Sequence, residues 1–68
     1  MNEQKQVERL LTDAQVAELL GGLHPKTVQK MARTNDIPAI RIGRYWRYRP
    51  SDLIAWIEVQ SSGQLARV

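Results

Sequence analysis

The sequence predicts a mainly α-helical domain with one small β-hairpin, in the order helix, helix, hairpin, helix. Three observations carry this. Two short helix-forming runs, each opened by a capping signal, lie on either side of Gly21-Gly22. Residues 39–49 then alternate with period two around Gly43. Finally, Pro50 opens a third run with apolar residues at helical spacing. The 68 residues allow one domain, and a domain this small buries only about 60% of the surface its unfolded chain exposes. With no Cys and a single His, neither a disulfide nor a zinc site braces it.

Residues 1–10 are polar and are expected to form a flexible arm. Thr12 caps a first helix expected from about Asp13 to Leu20. Thr12 and Gln15 make a capping-box pattern, Asp13 suits the first turn, and Leu11 is placed to staple against Val16. Val16, Leu19 and Leu20 form the expected buried stripe, and Gly21-Gly22 ends the helix. Pro25 suits the first position of a second helix, with His24 as its cap. In that helix Val28, Met31 and Ala32 gather on one side. Lys26, Gln29, Lys30 and Arg33 fall within an arc of about 100° on the other. Thr34-Asn35-Asp36 and Pro38 end it.

For the hairpin, the apolar alternation selects a three-residue loop, Gly43-Arg44-Tyr45. It pairs Ile42 with Trp46, Arg41 with Arg47 and Ile40 with Tyr48. That register sends Ile40, Ile42, Trp46 and Tyr48 to one face and the arginines to the other, whereas a two-residue loop mixes Arg47 with the isoleucines. The common three-residue loop has Gly at its last position, but Gly43 stands first, which leaves the turn type open. In the third helix Leu53, Trp56 and Ile57 form the expected buried stripe, with Ser51 and Asp52 in the first turn. It is expected to end near Val59, so that the folded domain is 11–59 and residues 60–68 are a flexible tail.

The net charge of +3 is unevenly placed. Residues 25–49 hold seven basic side chains against Asp36 alone, while both flanking segments are net acidic. Such a block is the footprint of a polyanion binder. No apolar run approaches the ~18 residues of a membrane span, and no signal peptide is visible. The expected compartment is the cytoplasm. Catalysis has no ingredients here: there is no Gly-rich phosphate loop, no carboxylate pair on a buried face and no Cys nucleophile. The chain is expected not to be an enzyme, with no catalytic residues, metal, cofactor or small-molecule ligand.

Two helices across a tight turn, the second with a basic outer face, are the layout of a helix-turn-helix. Gln pairs with adenine N6 and N7, and Arg or Lys with guanine O6 and N7, so Gln29, Lys26, Lys30 and Arg33 are candidate base readers. Thr27, near the helix N-terminus, is a candidate phosphate contact. Arg41, Arg44, Tyr45 and Arg47, with Arg49 beyond them, crowd the ribbon. Arg suits bidentate phosphate contacts and narrow minor grooves. The weaker alternative makes Trp46 and Tyr48 a stacking platform for single strands, against which the core's need for those rings argues.

The segments Leu11-Thr12-Asp13-Ala14-Gln15-Val16-Ala17-Glu18-Leu19-Leu20-Gly21, His24-Pro25-Lys26-Thr27-Val28-Gln29-Lys30-Met31-Ala32-Arg33, Ile37-Pro38-Ala39-Ile40-Arg41-Ile42-Gly43-Arg44-Tyr45-Trp46-Arg47-Tyr48 and Asp52-Leu53 with Ala55-Trp56-Ile57 resemble the excisionase-type helix-turn-helix family, a MerR-like winged-helix domain. The resemblance covers about residues 10–58. It implies a winged helix-turn-helix whose second helix enters the major groove and whose wing meets the adjacent minor groove or backbone. By the motif match, Lys26, Thr27, Gln29, Lys30 and Arg33 fall at recognition-helix positions and Arg41, Arg44 and Arg47 at wing positions.

The implied function is that of a recombination directionality factor. Such a protein binds neighbouring duplex sites cooperatively, self-associates head to tail, bends DNA and assists an integrase. It would be nucleoid-associated when bound. The runner-up is a small transcription regulator of a mobile element or prophage. A third reading is a protein-interaction adaptor that has lost DNA binding, against which the all-arginine wing argues. The turn Gly21-Gly22-Leu23-His24 is one residue longer than the commoner family form, and His24 replaces the usual Ser cap. Heptads for a dimerisation coiled coil are absent, so a ligand-sensing activator is not expected.

Overall fold

The computed structural model describes residues 8–66, with side chains over residues 8–61. Residues 1–7 of the expected arm, and residues 67–68, lie outside the described residues. The elements are α1 (Asp13–Leu19), α2 (Pro25–Arg33), β1 (Ile40–Ile42), β2 (Tyr45–Arg47) and α3 (Pro50–Ala66). This is the predicted order, that of a winged helix-turn-helix.

Local signals shape both helices of the pair. The Gln15 N–H donates to Thr12 Oγ1 at 3.2 Å and the Thr12 N–H donates to Gln15 Oε1 at 2.9 Å, completing the capping box. At the other end of α1, Gly21 takes φ +94°. The Gly22 N–H reaches the Ala17 carbonyl and the Gly21 N–H the Glu18 carbonyl, at 3.0 and 3.1 Å. That is a Schellman ending, which a left-handed residue makes possible. His24 caps α2 as expected, its Nδ1 accepting from the Lys26 N–H at 3.1 Å. The same Schellman pair closes α2 around Asn35 at φ +66°, with the Asp36 N–H on the Met31 carbonyl at 2.7 Å.

The core is Val16, Ala17, Val28, Ala32, Ile37, Tyr48 and Leu53. Leu11, Leu20, Met31, Ala39, Trp46 and Trp56 pack around it. Two expectations are corrected here. Leu19 is 62% exposed, because α1 buries the arc holding Val16, Ala17 and Leu20. At about 100° per residue, Leu19 then lies roughly 110° from the middle of that arc. Ile57 is likewise on the exposed side, since α3 turns Leu53 and Trp56 toward the core and leaves Ile57 at the edge.

The hairpin register is also corrected. The strands pair Ile40 with Arg47, Arg41 with Trp46 and Ile42 with Tyr45, joined by the two-residue turn Gly43-Arg44. Gly43 has φ +63°, the left-handed first position that a type II′ hairpin turn requires. Turn geometry therefore overrides apolar alternation. Opposed residues share a face, so Arg41 lies on the face of Trp46 and Tyr48, while Arg47 lies with Ile40, Ile42 and Tyr45. The mixing tolerated here has a physical basis: an arginine stem covers apolar surface while its head reaches water. Ile42 is accordingly 49% exposed rather than buried.

Two further features lay outside the sequence reading. Leu11 and Tyr48 exchange backbone hydrogen bonds of 2.8 and 3.0 Å, an isolated antiparallel bridge that ties the residue before the α1 cap to the end of the ribbon. Glu8, expected in the loose arm, accepts from the Ser51 N–H at 3.1 Å and the Ser51 hydroxyl at 2.8 Å. It thus caps α3 from 43 positions away. These bonds hold the Glu8 carboxyl below the usual glutamate range, helped by Arg49. Lastly, α3 does not stop near Val59 but runs to Ala66. Through residues 60–66 there is no proline, each added residue gains a backbone bond, and one interior Gly costs only about 1 kcal/mol.

Candidate nucleic-acid interface

Asp13 is the first residue of α1, directly after its cap, where the helix dipole favours a carboxylate. Its two oxygens serve two other parts of the fold. The Tyr48 hydroxyl donates to Oδ1 at 2.7 Å, and the Gln29 side-chain amide donates to Oδ2 at 2.8 Å. One carboxylate thus ties α1, α2 and the end of the ribbon together. Tyr48 is buried, and its pKa is pushed well above the ordinary 10.0 by desolvation, then by the Asp13 acceptor and its charge.

Around this junction α2 and the ribbon enclose an open cleft of about 380 Å³. Gln29 and Arg33 line it from α2, Arg41, Arg44, Tyr45 and Trp46 from the hairpin, and Asp13 from α1. Arg41 is fixed by the turn and the opposing strand: its Nε donates to the Gly43 carbonyl at 3.1 Å, and its guanidinium lies 5.2 Å from the centroid of the Trp46 ring. Cation–π contacts of this kind contribute about 0.5–1 kcal/mol at exposed sites and orient the charge. Arg44 stands exposed at the hairpin tip.

The structure brings together five of the nine predicted site residues: Gln29, Arg33, Arg41, Arg44 and Tyr45. The other four lie elsewhere. Lys26, Thr27 and Lys30 are exposed on α2 outside the cleft lining. Arg47 lies outside the cleft lining, on the ribbon face of Ile40 and Ile42, over the Tyr45 ring at 5.3 Å, with its Nη1 donating to the Trp46 carbonyl at 2.7 Å. Arg49, counted with the ribbon's charge, turns instead to Glu8 and Asp52 at 4.0 and 3.8 Å.

A family profile described as a helix-turn-helix domain matches residues 10–61. The chain belongs to the helix-turn-helix domain family. It is a DNA-binding helix-turn-helix protein, and the match spans every element from α1 into α3. No curated protein and no solved structure gives a match.

Within this helix-turn-helix, the residue that sequence reading missed is Asp13. Its partners are 16 and 35 positions away, so no local spacing announces the junction. The only signal was chemical: a carboxylate in the first turn of the helix beside two later donors, Gln29 and Tyr48. Trp46, whose ring the core is expected to need, both packs on the core and lines the cleft beneath Arg41. Tyr48, the other ring weighed as a single-strand stacking platform, has no exposed surface on which a base can stack.

Proposed function

We propose that this helix-turn-helix protein binds double-stranded DNA in a sequence-specific manner, with α2 in the major groove and the ribbon on the neighbouring backbone or minor groove. The observation that carries the reading is the cleft that sets Gln29 and Arg33 beside Arg41 and Arg44. Amide and guanidinium groups on one helix suit base edges, and guanidinium groups on a ribbon suit phosphates. In this reading Gln29, Arg33, Lys26 and Lys30 read bases, Thr27 holds a phosphate, and Arg41, Arg44, Tyr45 and Arg47 grip the backbone.

The finer reading is an architectural role in recombination, as the resemblance to excisionase-type domains implies. Several copies would bind neighbouring sites, bend the DNA and assist an integrase. A single domain with about four to six phosphate contacts should show a log–log salt slope of about −4 to −5. Its grip is modest, which favours cooperative assembly along the duplex.

The test is a gel-shift selection of the purified protein against a random duplex pool, with sequencing of the bound fraction. Direct repeats with bands adding cooperatively support the architectural role. A single or inverted site without cooperativity assigns the protein to transcription regulation. No enrichment at any salt overturns sequence-specific binding and returns the adaptor reading.

A further inference from the structure

We propose that Asp13 is a positioning residue that determines which way Gln29 presents its amide to a base. The inference rests on the reading of α2 as the base-reading helix and names how one of its readers is held.

A terminal amide has two nearly isosteric orientations that exchange its oxygen and its NH2 group. Which one is present decides where the donor and the acceptor lie. A carboxylate only accepts, and Asp13 Oδ2 stands 2.8 Å from Gln29 Nε2. The flipped amide would set two acceptor oxygens against each other, so one orientation is selected. Asp13 is itself held: its backbone starts a capped helix, and its Oδ1 takes the hydroxyl of the buried Tyr48.

With one amide N–H committed to Asp13, Gln29 keeps a second N–H and its Oε1. A donor and an acceptor side by side match N7 and N6 of adenine in the major groove. Asp13 and Gln29 line the same cleft between α2 and the ribbon, where a base edge would enter. Each oxygen of Asp13 already accepts one hydrogen bond, and the Asp13→Asn/Gln29→Ala double variant separates an influence passed through Gln29 from direct contact with a base.

The test compares base-preference profiles of the full chain by selection and sequencing, for wild type, Gln29→Ala, Asp13→Asn, Tyr48→Phe and the Asp13→Asn/Gln29→Ala double variant. Gln29→Ala should erase the preference at one base position, on the order of tenfold. Asp13→Asn should erase or switch the preference at that same position and no other: the donating Tyr48 hydroxyl keeps the new carbonyl oxygen, which turns the NH2 to Gln29 and favours the flipped amide. In the Gln29→Ala background it should change nothing further. Tyr48→Phe should lower stability and leave the profile intact.

If Asp13→Asn weakens every sequence equally and the position keeps its preference, Asp13 is merely structural and the inference falls. If Gln29→Ala leaves every preference whole, the inference falls while base reading by α2 stands. A wild type without any base preference removes the functional reading and the inference together. Should Asp13→Asn not fold, NMR of the wild-type protein decides. One Gln29 side-chain amide proton slowed in exchange sustains the inference, and two fast-exchanging protons overturn it.

Discussion

Tyr48 and Asp13 stand 35 positions apart in the chain and meet in a 2.7 Å hydrogen bond, phenol to carboxylate, at the junction of the ribbon with the helix pair. The phenol is buried and the carboxylate also holds Gln29 in the cleft, so this bond links the core directly to the candidate DNA-binding face.

Removing the hydroxyl with Tyr48→Phe should cost about 1.5–3 kcal/mol, the usual worth of a hydrogen bond to a charged group. In a domain this small that is a drop of roughly 4–8 °C in Tm per kcal/mol. The raised pKa adds a pH signature. The folded state holds the phenolic proton more tightly than the unfolded chain, whose tyrosine titrates near 10.0. The contribution is therefore complete below that value and is lost as pH rises toward the raised one. Urea melts from about pH 8 to 11 should show wild type losing stability on the alkaline side, with Tyr48→Phe lacking that component.

Arg33 and Arg44 line the same cleft from different elements, and their loss should read out differently. Arg33→Ala should relax base preference, at about 1–3 kcal/mol for the base concerned. Arg44→Ala should weaken binding to all sequences alike and reduce the salt slope by about 0.9. Gel-shift titrations at several salt concentrations, on selected and scrambled duplexes, separate the two effects. Equal losses on every sequence for both variants would show that α2 does not read bases.

Gly43 has φ +63°, and a methyl group added there would meet no atom within 4 Å. The cost of Gly43→Ala is therefore conformational, about 1–2 kcal/mol for placing an ordinary residue in the left-handed region. Gly43→Asn should cost less, because Asn visits that region more readily. Thermal melts of the two variants check the order. Equal destabilisation would mean that something other than backbone conformation is lost.

Glu8→Ala should release the start of α3, since the Ser51 N–H and hydroxyl lose their acceptor. Because the Glu8 carboxyl lies below its ordinary 4.5, its contribution is present above that value and fades as pH falls through the lowered one. Hydrogen exchange at the Ser51 amide should be slow in wild type near neutral pH and fast in Glu8→Ala. No difference between them would remove Glu8 from the helix cap.

What the sequence determined by itself is local. Thr12 with Gln15, His24 before Pro25, Gly21 after α1 and Asn35 after α2 each act within five residues, so their caps and stops were legible. The order of elements followed, and with it the basic helix beside a basic ribbon. Tertiary structure decided the rest. The ribbon's register turned on the left-handed Gly43, whose preference for a two-residue turn outweighed the apolar alternation. Whether Leu19 and Ile57 face in depended on how each helix is rolled against its neighbours, which spacing leaves ambiguous by tens of degrees. The joining of Asp13 to Gln29 and Tyr48, and of Glu8 to Ser51, needed residues brought together from 16 to 43 positions apart. Such contacts carry no periodic or adjacent signal in the chain; the packing of the core creates them.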